Sequence, residues 1–483
     1  MSLSTILSCL YLFVFITVVG AAEAGVQEIT PREKEMMAVI ESLQERVSAL
    51  EAAMAESQTA PAPAADQTDL EGRVEALETT AVSNAPEPGD FRVHWDEGLR
   101  LDTADGQARL KMGGRIHNDW FWYDQDDALQ RGLDLEDGAE FRRARLYLSG
   151  VLYENLLFEA EYDFAGGVSS FKDVYLELTG IPVVQNLRVG HFKEPFSLDE
   201  LTSSNDITFM ERALPNVFAP GRNTGAMVHG AYLGDPGAER VSTALGIFRT
   251  ADDFGNDADD GGYSGTIRVT GLPWYGADGR NFFHLGAAYT HRNPDDTIRL
   301  RQRPESGNAA HFLDTGDFEA EDIDSFALEA ALAYGPFSLQ GEYMTSDVET
   351  RLLGSRDFDG FYVQGSYLIT GERRPYDHGD GTFGRPDPAR NFAFHDGARG
   401  WGAWEVALRY SSLDLDGGGR LLAQAFGGGR PIRGGSGENI TVGLNWYLNP
   451  NARVMLNYVI ADIDSRMYDG DLNILQTRFQ LAF

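Results

Sequence analysis

The chain has 483 residues, of which 42% are hydrophobic and 11% aromatic, with 54 glycines and a formal net charge of −34. A mean hydropathy of −0.30 excludes a bundle of apolar spanning helices, but not a membrane barrel, whose strands alternate apolar and polar side chains and average out. So large a negative charge argues against a nucleic-acid partner, because a polyanion would be repelled.

Residues 1–24 have the pattern of a secretory signal peptide: an apolar run Ile6–Val19, then the small-residue site Ala22-Glu23-Ala24. No Lys or Arg precedes the run, which leaves an uncleaved anchor helix as the alternative. Cys9, the single cysteine, lies within it. Once that segment is removed, disulfides, thiolate zinc sites and cysteine catalysis are excluded. From Met36 the apolar residues Met36, Ile40, Leu43, Val47, Leu50 and Met54 fall at heptad spacing, so residues 25–59 are expected to form a short periplasmic coiled coil. A solitary amphipathic helix is the alternative, since so short a helix is marginal alone. Pro61 and Pro63 end it, and residues 60–106 read as a linker with a weak helical echo at Leu70, Val74 and Leu77.

From residue 107 the period changes to two. In RLKMGGRI, Leu110, Met112 and Ile116 share one face with Gly114, while Arg109, Lys111 and Arg115 take the other. In FRRARLYLSG, Ala144, Leu146 and Leu148 oppose Arg143, Arg145 and Tyr147. Such segments recur near 107–123, 141–152, 153–165, 169–179, 185–192, 224–233, 239–250, 262–272, 281–292, 323–334, 336–348, 358–370, 401–413, 437–448, 452–462 and 473–483. The fold class expected is all-β, a transmembrane antiparallel barrel of about sixteen strands over 107–483, preceded by the coiled-coil helix. Tight turns such as Gly335-Pro336 and Asn449-Pro450-Asn451 fall on the periplasmic side by parity, and long acidic or Gly-rich loops fall mostly on the other. Residues 371–400 break this rule, being long yet periplasmic; they conceal either a missed hairpin or an inward or periplasmic excursion. The chain ends on an alternating strand closed by Phe483, which resembles the signal used by the outer-membrane barrel-assembly machinery.

Parity also assigns the wall of the bore. Arg109, Lys111, Arg115, Arg143, Arg145, Arg188 and Arg409 fall on its polar face. The long segment 193–223, rich in Ser, Asn, Pro and acids, is expected to fold inward and narrow the bore, bringing Lys193, Arg212 and Arg222 with it. Together these ten are the candidate pore-lining and selectivity residues, since rings of Arg or Lys at a constriction select anions. Each could instead be an ordinary lumen charge paired with an acid. The trio Arg299, Arg301 and Arg303 in an outer loop could draw anions to the mouth. The nine histidines show no HExxH spacing, and neither a GxSxG elbow nor a phosphate-binding GxxxxGK[ST] occurs. No enzymatic activity, metal or cofactor is expected.

The stretches FRRARLYLSG, RVGHFKEPFSLDELTSS, FMER, GRNTG and GAWEVALRYSSLDL resemble the phosphate-selective porin O/P family of the Gram-negative outer membrane. The resemblance implies a sixteen-stranded, homotrimeric, water-filled barrel embedded in outer-membrane lipid. It implies passive diffusion of small anionic solutes such as phosphate, with the N-terminal segment in the periplasm. Family members with strong phosphate selectivity use a lysine cluster, whereas this barrel has only Lys111, Lys172 and Lys193. A general porin, or an anchor whose coiled coil tethers periplasmic material, therefore stays open beside the phosphate channel.

Overall fold

The computed structural model describes residues 91–483, apart from 97, 133, 257–261, 277–278, 295–296, 351–353, 396–397, 418–431 and 467. The expected signal segment, coiled coil and weak helical echo lie outside the described residues.

Sixteen strands form the wall. They are β1 (Ala108–Gln125), β2 (Gly138–Leu152), β3 (Leu156–Asp163), β4 (Ser170–Ile181), β5 (Gln185–Lys193), β6 (Arg222–Tyr232), β7 (Val241–Arg249) and β8 (Ser264–Tyr275). There follow β9 (Asn281–Arg292), β10 (Asp322–Tyr334), β11 (Phe337–Glu349), β12 (Arg356–Leu368), β13 (Ala403–Asp414), β14 (Ser436–Tyr447), β15 (Ala452–Asp464) and β16 (Asp469–Ala482). Each pairs antiparallel with the next, and β16 closes on β1 from Leu472↔Gln125 to Ala482↔Arg115. Closure removes the sheet edges that would otherwise expose unpaired backbone to lipid.

The alternation in sequence becomes an inside and an outside. On β13, Glu405, Arg409 and Ser411 are buried in the bore, while Val406 and Leu408 are exposed on the outer surface. This inverts a soluble protein, and it is the arrangement expected of a barrel with lipid around it and a polar interior. Connections alternate between short turns at one end, such as 335–336, and long loops at the other, such as 194–221 and 293–321.

Two features extend the sheet beyond the alternating segments. Phe91–Trp95 and Leu99–Thr103 form a hairpin whose second strand pairs with β1 from Leu99↔Met112 to Asp102↔Arg109, taking over where β16 ends. Phe483 sits at this junction: its N–H donates to Gly114 O at 2.9 Å, and its ring stacks on Trp95 with centroids 6.4 Å apart. The last part of the stretch read as linker is therefore sheet; its two segments have only five residues each, too few for alternation to stand out.

The second feature is the connection 369–402, which joins β12 to β13 at the short-turn end. It turns into the bore as a small ribbon, Tyr376–Asp377 against Thr382–Phe383. Phe383 is buried against Phe282, and Arg268 of β8 donates to the carbonyls of Asp380 and Gly381 at 2.6 and 3.0 Å. Both alternatives left by the sequence hold in part: residues 376–383 turn inward, and Ala393–His395 with Ala398–Gly400 form a further short hairpin whose Phe394 is exposed.

Candidate functional site: a channel with an arginine-bordered neck

The loop between β5 and β6, residues 194–221, lies inside the barrel. It opens with a one-turn helix, Leu198–Leu201, capped by Ser197, whose Oγ accepts from Glu200 N at 3.1 Å. The N–H groups of Leu198 and Asp199 reach across the bore and donate to the carboxylate of Glu342 on β11, at 2.9 and 2.8 Å. Beyond the helix the far wall supplies donors to one loop carbonyl after another. Gln480 donates to Asn205 O at 2.9 Å, Arg453 to Ile207 O at 2.9 Å, and Asn445 to Thr208 O at 2.8 Å. Arg478 donates to Met210 O at 2.5 Å, and Arg409 to Glu211 O at 3.0 Å. Irregular backbone at membrane depth needs such partners. Phe209 completes the dock, with the Arg409 guanidinium 4.4 Å from its ring centre. Gly443 stands beneath it, where an added Cβ would come within 3.0 Å of the ring. The loop thus fills the bore along β11–β16 and leaves an opening along β1–β8.

That opening is a cavity of about 330 Å³. Seven of the ten predicted residues line it: Arg115, Arg143, Arg145, Arg188, Lys193, Arg212 and Arg222. With Arg268 they make eight cations against three lining acids, Glu159, Asp173 and Asp380. A second cavity of about 180 Å³ lies toward the long loops, lined by Arg142, Arg143, Glu211, Arg212, Arg303 and Glu305 among others. Arg143 and Arg212 border both cavities and so mark the neck between them. The loop 293–321 narrows the bore as well: its Glu305 is buried against Arg409 at 2.5 Å and Thr441 at 2.6 Å.

Most lining cations have an acid behind them. Arg115 meets Glu161 at 2.7 Å, Arg145 meets Asp163 at 2.7 Å, Arg188 meets Glu177 at 2.5 Å, and Arg222 meets Asp173 at 2.6 Å. Lys193 and Arg212 share Glu200 at 3.6 and 3.2 Å. Burial works against ionisation of Glu200, yet Arg212 and Lys193 pull its carboxyl down to about 2. Arg143 is different. Its nearest carboxylate is Glu211, 3.9 Å away, and that group is already held by Arg142 at 2.9 and 3.0 Å and by Arg478 at 2.8 Å. Asp119 also holds Arg478, at 2.7 and 2.6 Å, so two carboxylates face three guanidiniums. Although burial pushes it up, they hold the Glu211 carboxyl well below the usual range.

Three predicted residues are elsewhere. Arg109 and Lys111 lie on the short-turn rim, beside the hairpin, with Arg109 opposite Asp102 in register and Lys111 6.0 Å from the Tyr147 ring centre. Arg409 is on the inner wall but only 2% exposed, committed to Glu305 and the folded-in loop, so it anchors rather than lines. In the outer loop, Arg299 is paired with Asp314 at 2.5 Å, and Arg303 reaches the outer cavity. Parity missed Arg142. A β-bulge shifts the register from His117↔Arg143 to Asn118↔Phe141, leaving Arg142 as the extra residue and both arginines inside. The signal was present: strict alternation would have placed an arginine in lipid, at a cost of about 2–4 kcal/mol at mid-membrane.

Residues 110–483 match the family described as phosphate-selective porin O and P. Porin O of Pseudomonas aeruginosa is 27% identical over 424 residues, covering 82% of this chain and 93% of that one. An uncharacterised protein of Caulobacter vibrioides is 26% identical over 480 residues, covering 94% of this chain and 90% of that one. Among solved structures, an anion-selective porin from Comamonas acidovorans is 15% identical with a TM-score of 0.48, covering 78% of this chain and 100% of that one. With more than half its length matched, the chain belongs to the phosphate-selective porin O and P family, and its barrel is an outer-membrane channel rather than an enzyme.

Proposed function

We propose that this channel passes small anions, phosphate among them, and selects them by charge at the neck bordered by Arg143 and Arg212. The observation that carries this is the excess of cations around the bore: eight against three acids line the larger cavity, and beside the neck Glu211 and Asp119 face Arg142, Arg143 and Arg478. A low-dielectric wall focuses that local field. Acids on exposed outer loops, such as Asp252 and Asp253, are screened by salt over a Debye length of about 8 Å, so the net charge of −34 does not decide the ion preference. Arginine suits the task, because its planar fork meets phosphate oxygens two at a time. Of the described lysines only Lys193 borders the cavity, so arginine carries nearly all the attraction.

In this reading the long loops face outward and the short turns, the hairpin and the N-terminal segment face the periplasm. Phe483 is the residue offered to the assembly machinery, and the barrel works as a homotrimer. The purified protein in planar bilayers tests the proposal. Reversal potentials in a chloride gradient are expected to show anion preference, with phosphate blocking the chloride current. Cation preference in the same gradient would overturn it.

A further inference from the structure

The connection 369–402 straddles the rim of the barrel. Its first half is the ribbon in the bore; its second half turns back against the outer wall. Phe392 N donates to Leu448 O at 2.6 Å, where β14 ends, and the hairpin Ala393–His395 with Ala398–Gly400 follows. Two glycines let its backbone approach closely. An added Cβ at Gly400 would overlap Asn391 O, and one at Gly402, whose φ is +67°, would overlap Tyr447 O. Trp401 stands between them, 65% exposed.

The hairpin lands on outward-facing rings of the wall. Trp404 and Trp446 alternate with the buried bore residues Glu405 and Asn445, so both face outward, and their rings stack at 5.1 Å. Phe392 packs edge-on against Trp446 at 4.8 Å, Phe394 against Phe392 at 5.1 Å, and Trp401 against Phe394 at 5.7 Å. The aromatic surface thus runs from the wall onto the hairpin without a break. Both wall indoles donate to one acceptor, Trp401 O, at 3.1 and 2.7 Å. In an interfacial belt such N–H groups normally turn to the headgroups. Here the hairpin has taken them, and the headgroup-facing position passes to the hairpin.

Its exposed face has the parts that position needs. In register Phe394 lies opposite Arg399, so the two share a face, and the Trp401 ring leans on Phe394. Phe394 is 72% exposed, and Arg399 and Arg390, the latter at the foot of the hairpin, are exposed as well. Among the described residues neither arginine meets an acid, unlike Arg115, Arg188 and Arg222 in the bore. Large rings beside unpaired guanidiniums, continuous with a wall that lies in lipid, match the ester level and the phosphate of a phospholipid. Lipid also relieves the cost of holding such rings in water.

We propose that this face is a phospholipid-binding site at the short-turn end of the barrel, with Phe394 and Trp401 among the glycerol esters and Arg399 and Arg390 on the phosphates of anionic headgroups. The leaflet engaged is the inner one, a clause that rests on the orientation stated above.

The test uses the full chain with Cys9→Ser, which removes the native thiol, in vesicles of phosphatidylethanolamine and phosphatidylglycerol. A nitroxide at Phe394→Cys is compared with one at Asp235→Cys, in an exposed turn at the same end. The ratio of collisions with dissolved oxygen to collisions with a water-soluble nickel chelate is expected to be several-fold higher at 394. Equal ratios would leave the face in water, and shielding of 394 from both reagents would mean that protein covers it; either overturns the proposal. Phosphatidylglycerol retained by the protein in mild detergent, counted by mass spectrometry, is expected to fall several-fold when Arg390→Gln and Arg399→Gln are combined. Unchanged retention overturns the anionic site. An impermeant maleimide that reaches position 235 on intact cells would reverse the orientation, and with it the leaflet, while the vesicle results stand.

Discussion

Arg143 on β2 and Arg212 on the folded-in loop border both cavities, but they are held in different ways. Arg212 is built into the loop, donating to the carbonyls of Asp199, Glu200 and Thr202 at 2.7, 2.8 and 3.0 Å. Among the described residues Arg143 holds no backbone group, and its side-chain hydrogen-bond contact is His117 Nδ1, at 3.5 Å. Arg143 therefore tests charge at the neck without dismantling it. Arg143→Glu is expected to lower the anion-over-cation preference by about tenfold or more, read from reversal potentials. Tenfold is about 1.4 kcal/mol, the interaction of two unit charges about 12 Å apart at an effective dielectric of about 20. Arg212→Glu is expected to change conductance and thermal stability together, because it removes the loop's internal brace.

Glu211 offers the opposite change. Replacing it with Gln keeps the shape but removes the negative charge shared by Arg142, Arg143 and Arg478. Anion preference is expected to rise, while unfolding becomes easier by about 2–4 kcal/mol as Arg142 and Arg143 lose their ion-pair partner and Arg478 is left with Asp119. Acid does not imitate this substitution. With its carboxyl held well below the usual range, Glu211 stays ionised as the solution is taken from about pH 7 to about pH 5, so the ion preference is expected to stay flat there. A rise in preference over that window would show that the carboxyl titrates in it.

The wall was legible in the sequence because a barrel strand advertises both its faces. Each of the sixteen alternating segments is a strand, and parity placed Arg143, Arg145 and Arg188 in the bore. The interior was legible only in part. The loop 194–221 could be read as inward from its length, composition and family motifs. Nothing local marked Glu305 as reaching Arg409, a pairing across 104 residues. The same holds for the ribbon 376–383, whose contacts with Arg268 and Phe282 are long-range. Arg142 failed for a different reason: one inserted residue reverses parity on one side of the bulge, and no pattern of period two contains it.

Arg142 separates the two orientations directly. If it faced lipid, Arg142→Leu would stabilise the barrel. Facing inward, with both Glu211 oxygens within 3.0 Å, the same change is expected to lower stability. Because the side chain is 31% exposed, the loss is discounted to about 1 kcal/mol. Thermal melting of the purified protein in detergent would show the sign.

The inward ribbon sets the other end of the channel. Gly379 and Asp380 at its tip line the larger cavity, and Phe383 packs the ribbon onto Phe282, whose ring centre is 5.8 Å away. Phe383→Ala removes that packing and is expected to cost about 3–5 kcal/mol where the site stays open. The ribbon would then sample positions off the wall, held at its tip by Arg268 through two carbonyls and by His378 against Glu239 O and the Tyr275 hydroxyl. Single-channel conductance is expected to rise and grow noisier as the exit widens. Anion preference is expected to hold, because Arg143 and Arg212 lie on β2 and the folded-in loop, apart from the ribbon. Unchanged conductance would place the limiting section at the neck; lost preference would make the exit part of the selecting machinery.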